Sequence, residues 1–218
     1  MHFLDAWTEL SLIDLARLLL APVLLAVAAF TPGPRLARVA ALGIAVTTVW
    51  LRELGGSPLL MAGWVALWLF VAWQAGHIGA GADRPLAPTR GVLEAGAVGL
   101  LLAGSVLALL IAAVARQDLA PEDGRRTSLG ALLIGLGLLH LMLRRHVRRA
   151  LVAFAAMGLG VQILDGVARD SQVPQMLPAA GNVLLGTTIA IALAARIAGI
   201  RERQADSAWV SDAHDLHD

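Results

Sequence analysis

The sequence predicts an all-α polytopic membrane bundle of about seven transmembrane helices, with the N-terminus outside and the C-terminus inside. Three observations carry this. Of the 218 residues, 58% are hydrophobic and only 15% are charged, with a mean hydropathy of +0.73. That is too little charge to coat a soluble domain of this size. Uncharged stretches of about 20 residues recur, the length that spans a bilayer core. The basic residues, all Arg, are distributed unevenly between alternate loops.

The spans read as 10–30, 36–54, 57–79, 92–115, 128–144, 149–168 and 176–198. Met1–Leu10 carries Asp5 and Glu9 but no Arg. It lacks the basic start of a cleavable signal, so the first span is expected to be retained. Thr31-Pro32-Gly33-Pro34 closes the first span, and Gly55-Gly56-Ser57-Pro58 the second. The Gly- and Pro-rich stretch 79–88 closes the third. Gln117 to Arg126 is expected to be a polar linker, Arg144 to Arg149 a loop, and Ser171 to Pro174 the last turn. These breaks divide the chain into a four-span part (1–126), a three-span part (127–200) and a polar tail (201–218).

With seven spans, one side receives Arg35, Arg38, Arg84, Arg90, Arg144, Arg145, Arg148, Arg149, Arg196, Arg201 and Arg203. The other receives Arg52, Arg116, Arg125, Arg126 and Arg169, while Arg17 lies inside the first span. The Arg-rich side is expected to be cytoplasmic.

Lipid offers no hydrophobic drive for helices to associate, so small residues mark packing faces. Gly91, Ala95, Gly99 and Ala103 form one such stripe in span four, and Gly186, Ala190 and Ala194 another in span seven. They pack either within the bundle or against another subunit. Trp50 and Trp73 fall near span ends and are expected to be interfacial anchors. Trp64 and Trp68, four apart, are expected to face lipid or a partner.

Ionisable groups inside a membrane are costly and are therefore functional candidates. Asp14, Glu94, His140, Asp165 and Asn182 are the proton-path candidates. Three of them have a structural alternative. Asp14 is placed to pair with Arg17 three residues on. Glu94 complements the N-terminal dipole of its helix. His140, near Arg144 in an apolar helix, either carries protons or makes a buried hydrogen bond. Gln162 and Asp165 share a face of span six. His77 ends span three, where it is expected to snorkel to water.

The absence of Cys excludes disulfides, thiolate metal sites and cysteine catalysis. No metal-ligand spacing, phosphate-binding Gly loop or Ser-His-Asp set is visible. His214, His217, Asp212, Asp215 and Asp218 form a tail that binds metal at most adventitiously. A net charge of +1 gives no reason to expect a nucleic-acid partner. No cofactor or metal is expected, and membrane lipid is an expected partner.

The last three spans have a distinctive layout. An apolar helix enters Leu141-Met-Leu-Arg-Arg-His-Val-Arg-Arg-Ala-Leu151, a second carries Met157-Gly-Leu-Gly160, and a small-residue helix ends in Ala194-Ala-Arg196. This resembles the three-helix K-type subunit of respiratory complex I. It is more similar still to component E of hydrogenase-4 type complexes, which place extra helices before such a trio. The family's cytoplasmic basic hairpin corresponds to Arg144, Arg145, Arg148 and Arg149. The resemblance implies a non-catalytic subunit of an ion-translocating complex in a bacterial inner membrane, beside antiporter-like subunits. The chain departs from the family where Ala155-Ala-Met-Gly-Leu-Gly160 lacks the embedded Glu, and where Asn182 replaces an acidic residue. A structural or adaptor subunit, or one using His140 or Asp165 instead, follows from those losses. The competing readings are a small independent transporter and an intramembrane enzyme.

Overall fold

A computed structural model describes residues 10–30, 34–50, 58–77, 120–143, 146–170 and 177–205, with isolated positions between 101 and 112. Among the described residues six helices stand out: α1 (Leu12–Phe30), α2 (Pro34–Trp50), α3 (Pro58–Ala75), α4 (Pro121–Leu143), α5 (Val147–Asp170) and α6 (Leu177–Ala205). All but the 17-residue α2 are long and apolar enough to cross a membrane. Leu101, Gly104, Ser105, Ala108, Leu109 and Ala112 are also helical, and all are exposed.

Proline sets several helix starts. Pro34, Pro58 and Pro121 each occupy the first helical position, where the missing N–H has no intrahelical partner to lose. Ser11 caps α1 by accepting the Asp14 amide at 3.2 Å and donating to the Asp14 carboxylate at 2.6 Å. His146 caps α5, its Nδ1 accepting the Arg148 amide at 3.2 Å. Inside the helices, Thr47 and Thr48 both donate to the Ile44 carbonyl, and Thr187 and Thr188 to carbonyls one turn back. Hydroxyls are thereby satisfied without water.

Two boundaries correct the sequence expectation. Pro121–Arg126, expected as part of the linker, is the first part of α4. Glu122 and Asp123 complement the helix N-terminus, and Arg126 pairs with Glu122 at 2.7 Å across one turn. At the other extreme, α6 runs past Arg201 to Ala205. Its final turn is held by a tertiary contact that no local pattern announces.

The helices share one core, drawing Leu25, Ile44, Trp64, Leu133, Leu159 and Ile191 from all six. α4 and α5 pack antiparallel at close range. A Cβ added at Gly130 would lie 2.9 Å from the Gly160 carbonyl oxygen, and one at Gly160 would lie 2.6 Å from that of Gly130. A turn or two along, a Cβ at Gly137 would meet Met157 and the Ala153 carbonyl oxygen. Only hydrogen at these positions permits the crossing. Similar gaps let Leu24 of α1 reach Gly43 of α2, and Leu184 of α6 reach Gly63 of α3.

Trp64 and Trp68, expected to face outward, are fully buried in the core. α3 is apolar all round, so its sequence carries no signal for which face turns inward. Trp50 and Trp73 are more than half exposed near helix ends.

Candidate functional site

The chemistry collects at one end of the bundle. The C-terminal ends of α1, α3, α4 and α6 meet the N-terminal ends of α2 and α5 there. Arg148 is the hub. It is nearly buried, and its Nε donates to Glu202 Oε1 at 2.5 Å while Nη2 donates to Oε2 of the same carboxylate. Its Nη1 donates to the Gln74 side-chain oxygen. One guanidinium therefore ties the start of α5 to the ends of α6 and α3. A two-pronged pair of this kind fixes orientation as well as charge.

Neither charge suits its own helix. Arg148 stands in the first turn of α5, where the dipole disfavours a cation. Glu202 stands in the last turn of α6, where it disfavours an anion. Because α5 and α6 run antiparallel, the two misplaced charges are brought together and neutralise each other. The neighbouring Arg149 is fully buried and its Nη1 donates to the Ala28 carbonyl at 3.5 Å. That carbonyl belongs to the last turn of α1, which has no intrahelical donor and carries the negative end of the dipole. His146, also buried, completes the cluster.

Arg148 and Arg149 were expected in a basic surface loop. They are instead buried in the first turn of α5 and do structural work there. Arg144 and Arg145 lie outside the described residues. Glu202, Gln74 and His146 were not anticipated. The one sequence signal for Glu202 is that it is a lone carboxylate between Arg201 and Arg203 in an otherwise basic region.

The proton-path candidates are dispersed. His140 is fully buried near the end of α4. Asp165 is half-buried on α5, where Gln162 is buried. Asn182 is exposed on α6. Asp14 is exposed, with Ser11 and, at 3.7 Å, Arg17 as partners. Glu94 lies outside the described residues, as do Gly91, Ala95, Gly99 and Ala103. In the α6 stripe, Gly186 and Ala190 are exposed and Ala194 is buried. His77 is exposed, as expected of a snorkelling residue, and its Nδ1 donates to the Trp73 carbonyl at 2.9 Å.

Three buried polar atoms have no hydrogen-bond partner among the described residues: Nε1 of Trp64, Nε1 of Trp68 and Oε1 of Gln162. No group of three or more His, Asp or Glu placed to hold a metal occurs among the described residues. What the site offers chemically is an ionic clamp beside the buried His146, with a second buried imidazole, His140, in the same half of the bundle. Comparison with known proteins finds no matching family model, no matching curated protein and no matching solved structure.

Proposed function

We propose that this chain is a non-catalytic membrane subunit of a larger proton- or ion-translocating complex of the complex I and membrane-bound hydrogenase type. Its role is structural or accessory to antiporter-like subunits. The observation that carries this reading is the state of α6. Only 17% of its membrane-length segment is covered, against 56% for α4 and for α5. The uncovered face combines the small residues Gly186 and Ala190 with Leu185, Ile189, Leu193 and Ile197. Small residues let a second helix approach closely, and large apolar ones fill the space beside it.

The same reading has seven crossings, an outside N-terminus and a cytoplasmic C-terminus, in a bacterial inner membrane. α3 ends at the clamp, whereas α4 starts at the far end of the bundle, and this placement supports an odd number of crossings between them. The helical positions between 101 and 112 supply material for one crossing. The clamp end gathers Arg35, Arg38, Arg148, Arg149, Arg201 and Arg203 against Glu202. At the far end Arg17, Arg125 and Arg126 are balanced by Asp14, Glu122, Asp123 and Asp165. An excess of Arg at one end favours a cytoplasmic position for it.

The test is affinity purification of the C-terminally tagged chain from native membranes in a mild detergent, with partners identified by mass spectrometry. Antiporter-like and hydrogenase- or quinone-oxidoreductase-like subunits are expected to co-purify. Recovery of the chain alone, with substrate-dependent flux in liposomes containing nothing else, would replace this reading with that of an independent transporter.

A further inference from the structure

On the side formed by α2 and α3 a second feature has no role in the reading above. An apolar groove of about 400 Å³ runs along their seam, lined by Leu42, Val46 and Val49 of α2 and by Val65 and Leu69 of α3, with Trp50 at its far end. Leu42 to Trp50 is eight residues, or about 12 Å of helix, a length suited to a hydrocarbon chain.

The head of the groove is basic and aromatic. Arg35 and Arg38 lie seven and four residues before Leu42, on the same face of α2, and both are exposed. Arg38 folds across α3: its Cδ and Cζ lie 3.4 Å from where a Cβ on Gly76 would stand. Trp73, one turn beyond Leu69, is more than half exposed and meets the His77 ring edge-on, with centroids 4.9 Å apart. Neither α2 nor α3 contains an acidic residue. A cationic, aromatic head continuous with an apolar slot matches a molecule that is anionic at one end and hydrocarbon at the other.

We infer that the α2–α3 seam binds an anionic phospholipid. Its phosphate sits against Arg35 and Arg38 beside Trp73 and His77, and one acyl chain lies in the groove toward Trp50. The partner's charge is set by two arginines with no counter-charge on either helix. Its second part is set by the apolar slot directly below them.

The full chain, purified in a mild neutral detergent, is titrated with phosphatidylglycerol and with phosphatidylcholine of the same acyl chains, and retained lipid is counted by native mass spectrometry. Wild type is expected to prefer phosphatidylglycerol. R35Q/R38Q is expected to weaken that lipid roughly thirtyfold, from two arginines near the surface, and leave phosphatidylcholine unchanged. V46W, which fills the groove from an exposed position, is expected to weaken both lipids and keep their ratio. Equal retention of the two lipids by wild type, or an R35Q/R38Q variant that keeps the preference, would overturn the headgroup assignment. Undiminished retention by V46W would overturn the groove. Circular dichroism of each variant confirms that the helices are intact.

Discussion

The Gly130–Gly160 crossing allows a test in which one substitution has opposite signs at two sites. Gly160→Ala puts a Cβ 2.6 Å from the Gly130 carbonyl oxygen and 2.8 Å from Ile134 Cγ1. Restoring ordinary contact at 3.4 Å requires α4 and α5 to part by about 0.8 Å. The obstacle is backbone, so no side-chain rotation relieves it. Overpacking of this sort costs about 1–3 kcal/mol, and the lower backbone entropy of Ala returns about 0.5–1 kcal/mol. The net expectation is a loss of about 1–2 kcal/mol. At Gly186 on α6 an added Cβ meets nothing within 4 Å. Gly186→Ala in the isolated chain therefore keeps only the favourable part, a gain of about 0.5–1 kcal/mol. Reversible unfolding in mixed micelles of rising SDS content, followed by tryptophan fluorescence, reads both, because Trp64 and Trp68 are buried reporters of the core. A Gly160→Ala variant as stable as wild type would refute the close crossing. A Gly186→Ala variant destabilised in the isolated chain would show that this face of α6 is already covered, and would remove the main support for a partner subunit there.

Glu202→Gln keeps one acceptor oxygen for Arg148 but removes the charge. Because Glu202 is about one-third open to its surroundings, the expected loss is about 1–2 kcal/mol rather than that of a fully buried pair. The last turn of α6 is expected to fray, which amide hydrogen exchange at 201–205 would detect; unchanged protection there would mean that the clamp does not hold the helix end. Ser11→Ala removes the α1 cap and is expected to cost about 1 kcal/mol in the same micelle titration. Asp14→Asn, at an exposed pair, is expected to cost less than about 0.5 kcal/mol.

The class of fold was legible because a bilayer imposes length and apolarity on any helix that crosses it. Side-chain placement was harder to read, for the same reason. In water, polarity marks the outward face of a helix; in lipid both faces are apolar, and the difference carried by α3 vanishes. Trp64 and Trp68 consequently looked like outward bulk and are core. Small residues carried better information, but the stripes that the spacing singled out lie in span four and α6. The closest approaches to a neighbouring helix's backbone that are described involve Gly130, Gly137 and Gly160 of α4 and α5. Spacing shows that a close approach is permitted, and only the neighbouring helix determines where it is used. Arg148 and Arg149 illustrate another limit. As a run of basic residues they read as a solvated loop, because the acceptors that justify their burial stand 54 residues downstream at Glu202 and 121 residues upstream at Ala28.

The way α6 is attached bears on what it is for. Apolar surface alone does not hold a helix to a bundle in lipid, since lipid tails solvate that surface equally well. α6 is fastened where Leu184 enters the gap at Gly63, where Thr187 meets Gly158, and where Arg148 grips Glu202. Ile191, Ala194 and Ala198 are buried between the upper contacts and the clamp. These contacts recur along one side of α6. They fix its position and rotation while leaving Leu185, Ile189, Leu193 and Ile197 exposed. A helix required only to complete its own bundle has no need to be held so specifically with so little of its surface covered. A helix that presents a face to a second protein needs both properties. In the proposed subunit that face stays uncovered until assembly, and its orientation does not depend on the partner. Loosening the clamp should therefore weaken assembly before it unfolds the chain. Glu202→Gln is expected to lower recovery of partner subunits at detergent concentrations where the α1–α5 core still gives native tryptophan fluorescence. Loss of both together would make the clamp a part of general stability and not of presentation.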